Sequence, residues 1–234
     1  MNLRFLSVLT IALMILALLP GCAIQRTVVR STMNPILVGG LDAMMAETNL
    51  EIAEAALASN LKLVEGMLRS DPNNTTLLLF AAQGYTAYAL AFVEDANQVE
   101  ARHLYQRAAS YANRRLIEKE DVDLLSIQDL SAFEQTVSAL NDDAIAGIFW
   151  LGNSWGSQIL NGLDDIVLVS QLPYVEALML RSLEIDENFF YGFAHLFFGG
   201  YYGARPPILG GDMDKAVYHL ERQIELTNNE LLFG

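Results

Sequence analysis

The sequence contains few cysteines, prolines and basic residues, and each shortage excludes a class of protein. Its single cysteine excludes an intramolecular disulfide and a cysteine-based metal cluster. Only 14 Lys and Arg stand against 28 Asp and Glu, which gives a net charge of -14. Because affinity for phosphate backbones comes from Lys and Arg, we expect no nucleic-acid partner, and we expect repulsion from anionic lipid headgroups. Only 6 prolines interrupt the chain, which leaves room for long helices.

The sequence also lacks the common catalytic motifs. It has no G-x-S-x-G elbow, no P-loop and no G-x-G-x-x-G fingerprint. Its histidines, His103, His195 and His219, lie far apart, so the sequence predicts no metal site. We therefore expect that the protein binds no cofactor and is not an enzyme. A catalytic function would need an interior acid that belongs to no recognisable motif.

The N-terminal residues have the pattern of a bacterial export signal. A single positive charge precedes an uncharged apolar run over residues 5–19, which is shorter than the roughly 20 residues of a membrane span. Leu19 and Gly21 precede Cys22 as in a lipobox. We predict a signal peptide over residues 1–21, lipid attachment at Cys22 and a tether to residue 40. The alternative is an ordinary signal peptide with an incidental cysteine.

The residue after Cys22 bears on the destination of the predicted lipoprotein. It is Ala23 and not Asp, which by the usual sorting rule permits transfer to the outer membrane. We therefore expect a chain on the periplasmic side of a bacterial membrane. Because the protein surface is acidic, the lipid would supply the membrane attachment.

The rest of the chain has helical periodicity. A stripe of Leu57, Leu61 and Val64 ends at the breaker cluster of residues 70–74, and the segment Thr75–Val93 carries no charge. A helix that is apolar on all sides is typically buried. No period-2 alternation indicates a strand, so we predict an all-α fold. Further helices are predicted at about residues 99–117, 127–140, 144–163, 171–185, 189–202 and 212–227.

A degenerate repeat runs through these helices. Residues 68–73 (LRSDPN) and 183–188 (LEIDEN) each end one helix and precede an aromatic-rich one. A small residue three positions before a large aromatic recurs at Ala82 and Tyr85 and at Gly152 and Trp155, as in tetratricopeptide repeats. We predict stacked helix pairs that form a degenerate tetratricopeptide-like superhelix over residues 41–234.

Three segments resemble one family. Residues 62–68 (KLVEGML) with 77–94 (LLLFAAQGYTAYALAFVE), residues 149–156 (FWLGNSWG), and residues 210–212 (GGD) are similar to the TRAP transporter T-component family, TatT. The resemblance covers about residues 50–227, and the predicted lipobox agrees with it.

The resemblance implies a periplasmic accessory lipoprotein. Its partners would be the substrate-binding P-component of the transporter and a small hydrophobic or carboxylate ligand enclosed by the helices. The oligomeric state is left open, with a homo-oligomer among the alternatives. The second hypothesis is a periplasmic tetratricopeptide-like scaffold that binds a protein and no small ligand.

Aromatic and basic side chains are the candidate ligand-binding residues. Tyr88 shares a helix face with Tyr85, which matches the packing tyrosine of the repeat. Trp150 lies about 140° around the helix from Trp155, so it either faces the ligand or packs against a neighbouring helix. These two residues are also candidates for plain core packing.

The segment of residues 201–212 is the most unusual one. Tyr201 and Tyr202 precede Arg205, whose guanidinium would suit a carboxylate. The alternative is that Arg205 pairs with an acid of the protein itself. Asp212, after two glycines, is predicted to cap the following helix.

The sequence after residue 229 begins another apolar segment, residues 230–234 (ELLFG). Terminal helix pairs of a solenoid need a polar cap, and this segment supplies none. We therefore expect the protein to continue, with an exposed apolar surface beside residues 218–226.

Overall fold

The computed structural model describes residues 27, 30–31, 36–37, 39–40, 43 and 46–228. The predicted signal peptide, Cys22 and the segment 230–234 lie outside the described residues. The chain divides into two units, Met1–Leu77 and Leu78–Gly234. Across the described part, the secondary structure is helical and contains no strand, which confirms the all-α prediction.

The first unit is built around helix α1, Leu50–Ser70. The side chain of Asn49 accepts hydrogen bonds from the first-turn amides, which would otherwise have no partner. One stripe of the helix is buried, in agreement with the predicted periodicity. After the helix, the buried carboxylate of Asp71 accepts a hydrogen bond from Nε of Arg30 at 2.7 Å. The breaker cluster therefore contains a buried acid that pairs with the exposed guanidinium of Arg30, as well as a turn.

Helix α2, Thr75–Tyr88, begins at Asn74, whose side chain accepts from the amide of Leu77. It continues as a π-helix over Ala89–Val93. The sequence predicts the full length of this segment but not the change of helix type. The helices that follow are α3 Gln98–Glu120, α4 Leu130–Ala139, α5 Ile145–Leu160, α6 Ile166–Val169, α7 Leu172–Ile185, α8 Phe189–Gly203 and α9 Met213–Leu226.

Short polar side chains determine several of these boundaries. Asp212 accepts from the amide of Lys215, so the predicted N-cap of α9 is confirmed. Asp165 accepts from the amides of Val167 and Leu168 and thereby starts α6 as a separate helix. The preceding helix, predicted to reach residue 163, ends at Leu160 with Asn161 as its C-cap.

Glycines allow the helices of the second unit to pack closely in antiparallel pairs. At Gly147 of α5, a Cβ atom would lie 2.5 Å from Cδ2 of Leu116 in α3. At Gly152, it would lie 2.8 Å from Sδ of Met179 in α7. At Gly199 of α8, it would lie 2.5 Å from Leu220 in α9. The small residue of the predicted repeat therefore lies at a real helix crossing.

Two helical stretches, Thr75–Val93 and Ile166–Ile185, are long and apolar enough to cross a membrane by length and composition alone. In the first, Tyr85 is buried and stacks on Tyr111, with the ring centroids 5.9 Å apart. The buried hydroxyl of Thr86 lies 2.9 Å from that of Ser154 in α5. These contacts are those of a core helix.

Helix α9 presents an apolar face that the described residues leave open. Met213, Val217 and Ile224 share one face and are 65%, 44% and 39% exposed. Ala216 and Gln223, on the neighbouring face, are buried. The continuation of the protein beyond this helix stays a prediction.

Candidate ligand site

A cluster of aromatic rings lies in the second unit, where α5 packs against the start of α8. The ring centroid of Trp150 lies 5.2 Å from that of Phe149 and 4.8 Å from that of Phe190. Phe149 also contacts Phe189 at 5.3 Å and Phe193 at 6.1 Å. Most of these pairs are edge-to-face, the arrangement that the ring quadrupoles favour.

The two tryptophans of α5 have different environments. Trp155 donates its indole N–H to Oε1 of Gln171 at 2.8 Å and stacks on Tyr174 at 5.8 Å, so it is a satisfied packing residue. Trp150 is only 5% exposed, and its Nε1 has no hydrogen-bond partner. A buried N–H without a partner costs about 1–3 kcal/mol. Of the two, Trp150 is therefore the one with an unused donor for a ligand.

The backbone over Trp150 is strained. Phe190 and Tyr191 have φ values of 47° and 61°, and Gly192 follows with 68°. A left-handed conformation costs roughly 1–2 kcal/mol for a residue with a side chain. Such strain is concentrated at ligand clamps and switch regions of proteins. Phe190 is 37% exposed and its ring contacts the buried indole, so this strained residue lies between Trp150 and solvent.

Tyr201 and Tyr202 lie together at the end of α8, around the carboxylate of Glu176 in α7. Tyr201 donates its hydroxyl to Oε2 at 2.7 Å, and Tyr202 donates to Oε1 at 3.5 Å. Burial and this hydrogen bond raise the pKa of Tyr201 to about 12. In this arrangement the two hydroxyls are already engaged by an acid, which would repel a carboxylate ligand.

Arg205 closes the loop that follows α8. Its Nε donates to the carbonyl of Tyr201 at 2.8 Å, and its Nη2 lies 3.4 Å from the carbonyl of Gly210. The guanidinium also stacks over the ring of Tyr201, 3.6 Å from the centroid. Among the described residues, Arg205 therefore contacts backbone carbonyls and a tyrosine ring, whereas the alternative hypothesis expected an acid of the protein.

Tyr88 lies apart from both groups, at the junction of α2 and the π-helix. It is half-buried, and its ring centroid lies 5.8 Å from that of Phe92. Its helix neighbour Tyr85 is a core residue whose hydroxyl accepts from Nη1 of Arg107 at 3.2 Å. The structure therefore places the predicted residues at three positions, and the ligand roles predicted for them stay predictions.

Two residues of these groups escaped the sequence interpretation. Glu176 lies on α7 in a sequence with many acids, and no local pattern distinguishes it from the others. Phe190 follows Phe189 at the start of a predicted helix, where a left-handed conformation is unfavourable for an aromatic residue. Only the packing of α8 on α5 shows that its ring covers Trp150.

Antiparallel helix pairs with a buried aromatic cluster define an all-α protein. The described ranges contain no group of three His, Cys, Asp or Glu that could hold a metal ion. The family model described as TRAP transporter T-component matches residues 46–234, and the chain belongs to this family. No curated protein matches it. Family membership gives the chain an accessory role in TRAP transport and places it in a transport family rather than an enzyme family.

Proposed function

We propose that this T-component holds a small hydrophobic or organic-acid ligand in its second unit and exchanges it with the substrate-binding P-component. The observation that carries the proposal is the indole N–H of Trp150, which is buried among aromatic rings without a partner. A site with apolar walls and a few placed donors is the usual form of a small-molecule site. The strained residue Phe190, which lies over Trp150, supports the proposal because it marks a point at which a ligand would enter the site.

The proposed location is the periplasmic face of a bacterial membrane, with Cys22 as the lipid-bearing N-terminus. The family supports a membrane-associated bacterial location. The acidic composition makes adsorption on anionic lipid unfavourable, so a covalent lipid would supply the attachment. The outer membrane is the proposed destination because Ala23 follows the cysteine.

Binding to the P-component encoded with the same transporter tests the proposed partnership. Sedimentation velocity with the two purified proteins should show a complex. A substrate acid should change the dissociation constant of this complex, because binding of a ligand shared between two proteins is thermodynamically coupled to their association. An absence of any complex at micromolar concentrations would contradict the partnership.

The alternative is a tetratricopeptide-like scaffold that binds a protein and no small ligand. The exposed apolar face of α9, with Met213, Val217 and Ile224, favours this alternative, because exposed apolar patches mark protein-binding surfaces. Val217→Ser should then weaken a protein complex while acids have no effect on the chain. An effect of acids on protein stability, by contrast, favours the ligand-binding function.

A further inference from the structure

We propose that Arg115, together with Trp150, forms an anion-binding subsite of this protein and binds the carboxylate of an organic acid with an apolar body. This inference rests on the proposed ligand-binding function and specifies the chemical class of the ligand. It assigns the carboxylate to a residue of α3, away from the loop arginine Arg205.

Arg115 is a buried cation with two unpartnered donors. The residue is 9% exposed, and neither its Nε nor its Nη1 has a hydrogen-bond partner. Burial lowers the pKa of its guanidinium from the ordinary value, while Glu120 and Asp143 act on it from a distance. Removing a charge from water without hydrogen bonds is one of the most unfavourable arrangements in a protein interior. A bound anion would relieve it.

Helix geometry directs the two unpartnered donors toward the same turn of α5. Nη1 of Arg115 lies 3.6 Å from the position that a Cβ atom would take at Gly147. Trp150 is three residues further along, so the two positions are neighbours on one helix face. Helical side chains lean toward the N-terminus, so the side chain of Trp150 leans over the turn that contains Gly147.

The surroundings determine what kind of anion fits. Phe149 and Phe190 lie against the indole, with ring centroids 5.2 and 4.8 Å away, so the body of the ligand meets aromatic surface. A carboxylate could accept from the guanidinium and from the indole N–H, and such charge-assisted hydrogen bonds are the strong ones. An aromatic or aliphatic monocarboxylate satisfies both requirements.

Fluorescence of a chain with one tryptophan tests the inference. The sequence has two tryptophans, so Trp155→Phe leaves Trp150 as the only indole in the full-length chain, purified in dodecyl maltoside micelles. The probes are 3-phenylpropionate and its neutral amide. We expect saturable fluorescence changes, with the acid bound at least about tenfold more tightly than the amide, as the loss of a charge-assisted hydrogen bond predicts.

Two arginine variants, made in the same background, provide the comparison. Arg115→Gln should weaken acid binding about tenfold or more and leave amide binding within about twofold. The matched control Arg114→Gln removes the same charge from the preceding residue of α3. It should leave the affinities for the acid and for the amide unchanged. Arg115→Gln should also keep or raise the urea midpoint, because it removes an unpaired buried charge. If Arg115 formed a stabilising ion pair instead, Arg115→Gln would lower the midpoint.

Three results would overturn the inference: equal affinities for acid and amide, unchanged acid binding in Arg115→Gln, or no response up to about 10 mM of acid, beyond the millimolar affinity range. Acid binding that does not depend on Arg115 would leave the proposed function standing, with its site elsewhere. Failure of the protein to bind both the acid and the P-component would remove the proposed function as well.

Discussion

Replacing Gly147 by alanine should destabilise the second unit through one contact between α3 and α5. The new methyl group would lie 2.5 Å from Cδ2 and 2.7 Å from Cγ of Leu116. Leu116 is completely buried, so its side chain has no free space into which to rotate. Overpacking of this kind costs about 1–3 kcal/mol, and the better helix propensity of alanine returns about 0.5–1 kcal/mol. We expect a net loss of up to about 2.5 kcal/mol.

Gly200 in α8 provides the matched control, because a Cβ atom there meets nothing within 4 Å. Gly200→Ala should therefore gain about 0.5–1 kcal/mol from propensity alone. Since the propensity gain is common to both variants, their difference of about 1–3 kcal/mol isolates the packing cost.

Urea denaturation followed by tryptophan fluorescence measures this difference, since both indoles lie on α5 within the second unit. The m-values should stay unchanged, so that the midpoints report stability directly. If Gly147→Ala gained as much stability as Gly200→Ala, the close approach of α3 and α5 would be refuted.

Three further changes test other parts of the account. Thr86→Val should cost about 0.5–1.5 kcal/mol in urea denaturation, because it removes the buried hydroxyl bonded to Ser154. Burial lowers the pKa of His219 from 6.5 to about 4 and also lowers that of His195, so the unfolded chain binds more protons in this range. The rings of these two histidines form a pair, with their Nδ1 atoms 2.9 Å apart. The urea midpoint should therefore fall as the pH falls from 6.5 to about 4, and a constant midpoint would contradict burial of the neutral pair. Cys22→Ser should leave an unprocessed or soluble chain after carbonate washing, and normal cleavage with membrane retention would contradict lipid attachment.

Local signals were sufficient to predict most helices. Periodicity, the breaker cluster of residues 70–74 and the predicted cap Asp212 place the start of α2 and both ends of α9 to within a residue or so. The π-helix over Ala89–Val93 carries no such signal. Likewise, the left-handed turn at Phe190 runs against local preference, and it can only be held by tertiary packing.

The candidate site was less predictable because it depends on which side chains lack partners. The sequence makes Trp150 a candidate but leaves its environment open, since ligand and core positions share the same residue type. Arg115 is one of several basic residues of α3, and its buried, unpaired state depends on the contact with Gly147 in a distant helix. By contrast, Arg205 stands out in the sequence, while the structure satisfies it with carbonyls of its own loop.

Uptake by living cells tests the central claim, the accessory role in transport with a bound ligand, most directly. The initial rate of uptake of a labelled substrate acid is measured at limiting concentration in cells that lack this gene, and again after complementation. We predict a reduced rate that the wild-type chain restores, while Arg115→Gln restores it only in part. Uptake in the deletion strain at the rate of the parent strain would contradict the claim.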